Sequence, residues 1–573
     1  MPIKVNNAFL DGRARRDYDF AAMGKPGRIP SFLKDNFALI LILAVAAALR
    51  TITLGSKGLW LDEAYSVHLA GQRLGGLISQ LSLESTPPLY YLSLHFWMNI
   101  FGTGEAAVRA LSLVFSLGTI AVLYALGRKF FGRAAGVAAA VLAAVAPLQV
   151  YYAQETRMYS LLALLAAGLL YFTVSIAGAP SEKTEGMPAA LKRSAIGMGV
   201  AGLLLLYTHT VALWFVAGCF VAALYFSRDK KARMPVLLSA AGMAIAYLPW
   251  ALVLIKQVAR QSTVLQWFVP FWNSKPVWRH AVDSLSGFSF GPFPPYLAIR
   301  DGAGFAVIGL VLALAVLAWG LVARWKLMAA RACALVGLLA FGFPLVYSRL
   351  FQPVYIPGRT DQYLQPVFLL LVGAGIAAVS GRKVIQAAVV VLFAALSVYV
   401  LIPWYGNAAK DASRDTMEEV RAAAAPGDVL VATGYTVASS EYYASRWKLP
   451  VEVVTFPLAL ASHPGFFNSE DEASRPDALA RDADSLARKL ADIAAAGKKG
   501  IILLTPHGIN DTLLRALSDK LMLGDLPGRL NRHESLVGTP VRILIAQKAE
   551  IRYMSCMSPI YFRRKVTCIV MLF

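Results

Sequence analysis

The sequence predicts a polytopic α-helical membrane protein that carries a small α/β domain toward its C-terminal end. Three observations support this. Apolar runs of about 17 to 25 residues, the length that crosses a hydrocarbon core, recur along the chain. Of the 573 residues, 57% are hydrophobic and only 16% are charged. After about residue 405 the long runs give way to short β-branched ones such as "GDVLVATG", "VEVVTF", "KGIILLTP" and "VRILIAQ".

Taken in order, residues 1–35 are basic ("RARRD", "GKPGR") and are expected on the cytoplasmic side, following the rule that Lys and Arg mark inner loops. Span 1, 36–54, is too long for a signal h-region and reads as a retained helix. The next basic loop is "GRKFFGR" at 127–133, so one inward crossing must precede it, and 105–126 supplies that. The segment "PPLYYLSLHFWMNIFG" (87–102) is then left within an outer-face loop, 55–104. Two prolines and many aromatics suit it to a helix lying in the interface. Further spans fall near 134–150, 158–178, 195–208, 209–226, 235–256, 303–323, 329–349, 363–380 and 383–403, for about 11 to 13 in all. An odd number puts everything after the membrane domain (36–404) outside. Alternating strand and helix over 405–548 predicts a mainly parallel sheet, followed by a tail, 549–573.

Composition also excludes. The net charge of +21 could suggest nucleic acid, but much of it lies in short loops between spans, so no nucleic-acid partner is expected. Four cysteines (Cys219, Cys333, Cys556, Cys568) show no metal-ligand spacing.

Three segments then share the outer face: "GLWLDEAYSVHLA" (58–70), "VYYAQETRMYS" (150–160) and "SRLFQPVYIPGRTDQ" (348–362). The first sets Asp62 and Glu63 side by side after Trp60, with Tyr65 and His68 near the helical face of Asp62. Solvated interface residues or a helix N-cap are the plain alternative for these acids. A buried carboxylate with a raised pKa could instead serve as general base toward a hydroxyl. Glu84, Ser85 and Thr86 lead into the Pro-Pro helix. In the second segment Glu155 and Arg157 form either a surface pair or part of a site, with Tyr159 at i+4 from Glu155. Arg109 lies within about one turn of the start of a span, where ionisable groups are costly and usually paired or functional. In the third, Arg349, Arg359 and Asp361 bracket a Pro-rich loop, and arginine's planar fork suits phosphate. His209, between two spans, reads as a satisfied structural histidine. Acids and arginines on one side of the bilayer suit a lipid-linked phosphate substrate whose tail stays in the membrane.

"WLDEAY", "STPPLYYLSLHFWMNIFGTGEAAVRALS", "GRKFFGR" and "PLQVYYAQETRMYSLLALL", in that order and spacing, resemble the integral-membrane GT-C-type glycosyltransferases. The nearest branch is the bacterial one grouped with dolichyl-phosphate-mannose protein mannosyltransferases and lipid A aminoarabinose transferases. The resemblance spans residues 35 to 180 and, more loosely, 340 to 380. It implies a polyprenyl-phosphate sugar donor, an outward-facing site in a bacterial inner membrane, and transfer with inversion to a lipid, glycan or protein acceptor. It implies that Asp62 is the first-loop acid with Glu63 beside it, that Arg109 opens the second span, and that Glu155 and Arg157 fall on the second acidic motif. Thr86 stands where the family often has His or Lys, and "GRTDQYLQP" separates Arg359 from Tyr363. The expected catalytic residues are Asp62, Glu63 and Glu155. Arg109, Arg157, Arg359 and Tyr363 are expected at the donor phosphate, and Trp60, Tyr65, Thr86 and Tyr159 at the substrate. No cofactor is specified. Glu63 is left with two roles, orienting Asp62 or binding a divalent metal. A transporter or flippase would need charges near mid-bilayer and inverted halves, and a non-catalytic scaffold would tolerate Ala at the acids.

Overall fold

In the computed structural model, residues 31–83, 86–179, 188–227, 233–260, 268–290, 303–379, 381–406, 410, 413–462, 464, 475–504, 509–521, 542–547 and 550–554 are described. α1 (Ser31–Thr51) delivers the chain to a layer of three short helices, α2 (Leu61–Ala70), α3 (Leu74–Leu83) and α4 (Leu89–Phe101). The apolar series then runs through α5 (Glu105–Phe130), α6 (Arg133–Val145), α7 (Pro147–Ala153), α8 (Tyr159–Ala177), α9 (Ala189–Leu206), α10 (Leu213–Phe226) and α11 (Arg233–Arg260). It continues through α12 (Phe268–Asn273), α13 (Val277–Ser289), α14 (Ala303–Arg324), α15 (Met328–Leu350), α16 (Gln365–Ala377) and α17 (Lys383–Gly406).

Among the described residues, 7 helices are long and apolar enough to cross a membrane, or 8 if the bent pair α6–α7 is one span. α1, α10 and α16 are shorter apolar helices at the remaining expected positions, and α4 occupies the segment assigned to the interface. α6 and α7 meet at 58°. Pro147 has no N–H to offer the carbonyl of Ala143 four residues back, so the helix breaks there. Arg50, near the end of α1, fills the gap. Its guanidinium donates to Ala144 O at 2.7 Å and Ala143 O at 3.0 Å, with Nε on Ser116 Oγ at 2.9 Å. A charge within a span is costly, and here freed backbone acceptors compensate it. Elsewhere small residues let backbones approach. A Cβ on Gly127 of α5 would lie 2.6 Å from Gly136 Cα of α6, and one on Gly375 of α16 would overlap Val316 O of α14. At the periphery, Ile245, Val322 and Val384 point outward, a surface suited to lipid.

The C-terminal domain comprises α18 (Ser413–Ala423), β1 (Asp428–Thr433), α19 (Val437–Trp447), β2 (Val451–Phe456), α20 (Pro476–Ala495), β3 (Gly500–Leu504), α21 (Ile509–Leu521), β4 (Arg542–Gln547) and β5 (Glu550–Met554). The sheet order is β2-β1-β3-β4-β5. β2, β1 and β3 are parallel, as the alternating pattern predicts, but β4 and β5 are antiparallel. β4 ends at Gln547 and β5 starts at Glu550, far too short a link for a parallel crossover. β5 also carries the sheet into the segment assigned to the tail.

β1 is buried on both faces. Val429 and Val431 face Leu486, Leu490, Leu513 and Leu517 of α20 and α21, whereas Leu430 joins the core shared with the membrane domain. This is the period-2 alternation of a strand. The same face docks on the outer loop. Tyr443 Oη accepts from Leu59 N at 2.8 Å, Tyr442 Oη donates to Thr103 O at 2.9 Å, and Arg446 pairs with Glu105 at 3.4 Å. The domain therefore lies on the side that carries Asp62.

Candidate active site

α2 starts after Trp60, whose backbone is extended and whose side chain caps nothing. Asp62 is thus not an N-cap; it lies in the first helical turn, where the helix dipole favours a negative charge. Its Oδ2 accepts from Arg359 Nη2 at 2.6 Å and lies 3.8 Å from Arg157 Nη2. Asp62 is 21% exposed, Arg359 28% and Arg157 11%, so the three form a half-open cluster that a ligand can reach.

Aromatic hydroxyls fix the arginines. Arg359 Nε donates to Tyr159 Oη at 2.6 Å. Tyr159, the first residue of α8, packs on Tyr152 with ring centroids 4.6 Å apart. Tyr152 Oη in turn donates to Gly358 O at 2.8 Å, tying down the loop that carries Arg359. Arg157 Nη1 reaches Tyr91 Oη at 3.1 Å and Ser66 Oγ at 3.4 Å. Its Nε is buried and has no partner among the described residues.

Glu63 faces the opposite way and is fully buried. Arg109 grips it in a fork, Nε to Oε1 at 2.8 Å and Nη2 to Oε2 at 2.6 Å. Thr156 N donates to Oε1 at 2.9 Å, and Lys410 Nζ stands 3.1 Å from the same oxygen. Burial alone would raise its pKa, but Arg109 and then Lys410 outweigh that and hold it down at about 2. The remaining donors of Arg109 go to the carbonyls of Leu54, Lys57 and Gly58, at 3.0, 2.6 and 2.7 Å. Arg109 therefore clamps the loop between α1 and α2 and has no free donor to turn toward a ligand.

Glu155 is also buried. Oε1 accepts from Trp60 Nε1 at 3.1 Å, while Oε2 has no partner among the described residues. Burial pushes its carboxyl up to about 7, against the pull of Lys410 and Arg359, with Glu63 and Asp62 adding to the rise. Glu63 and Glu155 thus differ: Arg109 and Lys410 hold Glu63 as a carboxylate, whereas burial favours the neutral form of Glu155.

The other expected residues scatter. Trp60 belongs to the cluster through Glu155. Tyr65 is buried and stacks with His68 at 6.2 Å. Thr86 is half-buried at the bend ahead of α4, and no described hydrogen bond joins it to the cluster. Tyr363 turns into the core, with its ring on Phe215 and its hydroxyl on Ala340 O at 3.4 Å. Arg349 is exposed at the end of α15. His209 is the satisfied structural histidine expected, its Nδ1 accepting from Val211 N. Glu84 and Ser85 lie outside the described residues.

Sequence reasoning missed Lys410 and Gln154; Asp361, named there beside Arg359, lies behind it with its Oδ2 accepting from Tyr355 Oη at 2.8 Å. Arg50 carried a signal, a lone charge in an apolar run. Lys410 carried none. As for a metal, both oxygens of Glu63 are engaged by Arg109, Lys410 and Thr156, and no group of three or more His, Cys, Asp or Glu among the described residues could hold one. The donor set of Glu63 does not fit an ion.

Fold and site together define a polytopic membrane protein of the GT-C fold. Residues 85–253, which include Arg109, Glu155, Arg157 and Tyr159, match the dolichyl-phosphate-mannose-protein mannosyltransferase family. Among solved structures the chain is similar to apo ArnT from Cupriavidus metallidurans, with TM-score 0.55 and 14% identity over 82% of this chain and 94% of that one. The same protein bound to undecaprenyl phosphate gives TM-score 0.54 and 14% identity over 82% and 93%. No curated protein sequence matches the chain.

Proposed function

We propose that the chain is a glycosyltransferase that moves a sugar from a polyprenyl-phosphate-linked donor to an acceptor on the extracytoplasmic face, with inversion. The observation that carries this reading is the half-open cluster of Asp62, Arg359 and Arg157. It offers one carboxylate oxygen and two anchored guanidinium groups to the same small space. The family match and the likeness to ArnT, a protein crystallised with undecaprenyl phosphate, support the choice of a lipid-linked phosphate.

The chemistry follows from those groups. The bond between the anomeric carbon and the phosphate oxygen breaks, and the electron pair leaves with the phosphate. That leaving group needs charge stabilisation more than protonation. Arg157, with an unpartnered Nε, and Arg359 would supply it. As Arg359 turns to the phosphate, Asp62 is released to accept the proton of the acceptor hydroxyl, whose oxygen attacks the opposite face of the sugar. The acceptor is a lipid, glycan or protein hydroxyl. Glu155 stands beside Trp60 as a second group able to hold that proton.

The site lies at the C-terminal end of α1 and the N-terminal end of α5. The far end of α5 carries Arg128 and Lys129, the basic residues expected on the cytoplasmic side. This supports a cytoplasmic N-terminus, an outward-facing site and an extracytoplasmic C-terminal domain; the membrane proposed is a bacterial inner membrane. Proteoliposomes supplied with a panel of polyprenyl-phosphate sugars and cell-envelope acceptors test the reading. The wild-type protein is expected to consume one donor and release polyprenyl phosphate, and Asp62→Asn to do neither. Equal turnover by Asp62→Asn would overturn it.

A further inference from the structure

Lys410 is among the buried charges that take no part in the proposed transfer. Lys410 lies between α17 and α18, where the chain leaves the membrane domain for the α/β domain. Its Nζ stands 3.1 Å from Glu63 Oε1 and donates to Gln154 O at 2.7 Å. Trp404, near the end of α17, donates from Nε1 to Gln154 Oε1 at 2.9 Å, and Lys57 Nζ donates to Trp404 O. The connection thus holds Gln154 by both its main chain and its side chain. Gln154 Nε2 is itself fixed to Arg50 O at 3.0 Å, at the end of α1. The next residue is Glu155, whose Oε2 is buried and unpaired among the described residues.

We propose that Lys410 is a positioning residue: it holds Glu155 in place through Gln154 and Glu63, and its ammonium is the counter-charge for the Glu155 carboxylate. The inference rests on Glu155 belonging to the reaction site. The groups facing Glu155 come from three elements: Lys410 from the connection, Asp62 and Glu63 from α2, and Arg359 from the loop 351–364. Trp60 adds a neutral donor. Of these cations Lys410 is the one bonded to the neighbouring residue, through Gln154 O at 2.7 Å.

The test is an infrared titration of the full-length protein in nanodiscs, with Glu155→Gln identifying the band of the protonated Glu155 carboxyl. In the wild type that band is expected to titrate near pH 7. Lys410→Met is expected to move the midpoint up by about one pH unit, the effect of losing one nearby opposite charge. Lys410→Gln, which keeps a hydrogen bond to Gln154 O but no charge, should do the same, whereas Lys410→Arg should leave the midpoint where it was. Two charge-removing variants and one charge-keeping variant separate this from general misfolding, and size-exclusion profiles check each. An unmoved midpoint in both Lys410→Met and Lys410→Gln, or no band that Glu155→Gln removes, overturns the inference. A moved midpoint in a protein that transfers no sugar overturns only the proposed function.

Discussion

Arg359 Nη2 and Asp62 Oδ2 lie 2.6 Å apart, although the residues are separated by 297 positions in the chain. The pair joins the first outer loop to the last and defines the mouth of the site. Both members are partly exposed, so the pair can open without leaving a charge stranded in the interior. That property distinguishes it from the Glu63–Arg109 pair one residue away, and the predictions divide accordingly.

Asp62→Asn should lower transfer about 10²- to 10⁴-fold, the range for loss of a general base. Because Asp62 is half-buried and Arg359 keeps Tyr159 as a partner, expression and thermal stability should stay near wild type. Turnover and thermal unfolding measured on the same preparation check both parts.

Arg359→Ala should weaken undecaprenyl phosphate binding. A charged hydrogen bond is worth about 1.5–3 kcal/mol, or roughly tenfold or more in Kd. Added undecaprenyl phosphate should raise the unfolding temperature of the wild type by mass action and raise that of Arg359→Ala much less. Arg359→Lys keeps a charge but not the fork, and should fall between them.

Much of this architecture was legible in the sequence, because spans are set by local hydrophobicity and their length by the bilayer. The acids and arginines were legible by residue type and by side of the membrane. Their pairing was not. Nothing local says that Glu63 turns inward to Arg109 while Asp62 turns outward to Arg359; only the tertiary placement of α2 between Arg109 and the loop that carries Arg359 decides that. Lys410 sits in a short connection without periodicity, so its approach to Glu63 is a purely tertiary fact. Tyr363 was expected beside Arg359, but with α16 starting at Gln365 its ring is directed onto Phe215 in the core.

Glu63→Gln and Arg109→Met should each cost about 3–5 kcal/mol: the first strips Arg109 and Lys410 of their shared buried counter-charge, and the second leaves Glu63 with Lys410 alone and orphans the carbonyls of Leu54, Lys57 and Gly58. The double variant should cost less than the sum of the two, since the partners touch. Unfolding temperatures of the three variants test this, and strict additivity would count against the clamp.

The buried carboxyls of Glu155 and Glu63 should give opposite pH dependences. Glu155 has its folded pKa raised from 4.5 to about 7. Between those values the folded protein holds a proton that the unfolded chain has released, so its contribution is present below pH 4.5 and falls as pH rises to about 7. The loss is on the order of 3 kcal/mol. Glu63 has its folded pKa lowered from 4.5 to about 2, so its contribution is present above pH 4.5 and disappears as pH falls toward 2. Subtracting the Glu155→Gln stability profile from that of the wild type should leave a slope confined to the first window. A flat difference there would show that Glu155 is not buried as a neutral acid.

Docking of the C-terminal domain depends on a close approach at Gly58, and this gives the last prediction. A Cβ at Gly58 would lie 2.6 Å from Arg414 Cβ, 3.1 Å from Tyr443 Oη and 3.3 Å from Arg414 N. The same peptide offers its carbonyl to Arg109 and its following N–H, that of Leu59, to Tyr443. A side chain there has no flexible neighbour tip to displace, so α18 must move away and take α19 with it. Gly58→Val should therefore loosen the domain from the outer loop and speed limited proteolysis between the two parts of the chain. It should also lower transfer, because Arg109 holds the Gly58 carbonyl and Glu63 together. Gly75 on α3 meets nothing within 4 Å and serves as the control. Gly75→Ala should leave proteolysis and transfer unchanged, with stability equal to wild type or raised by about 0.5–1 kcal/mol from the better helix former. Equal proteolysis rates for Gly58→Val and Gly75→Ala would mean that the domain is not held at this contact.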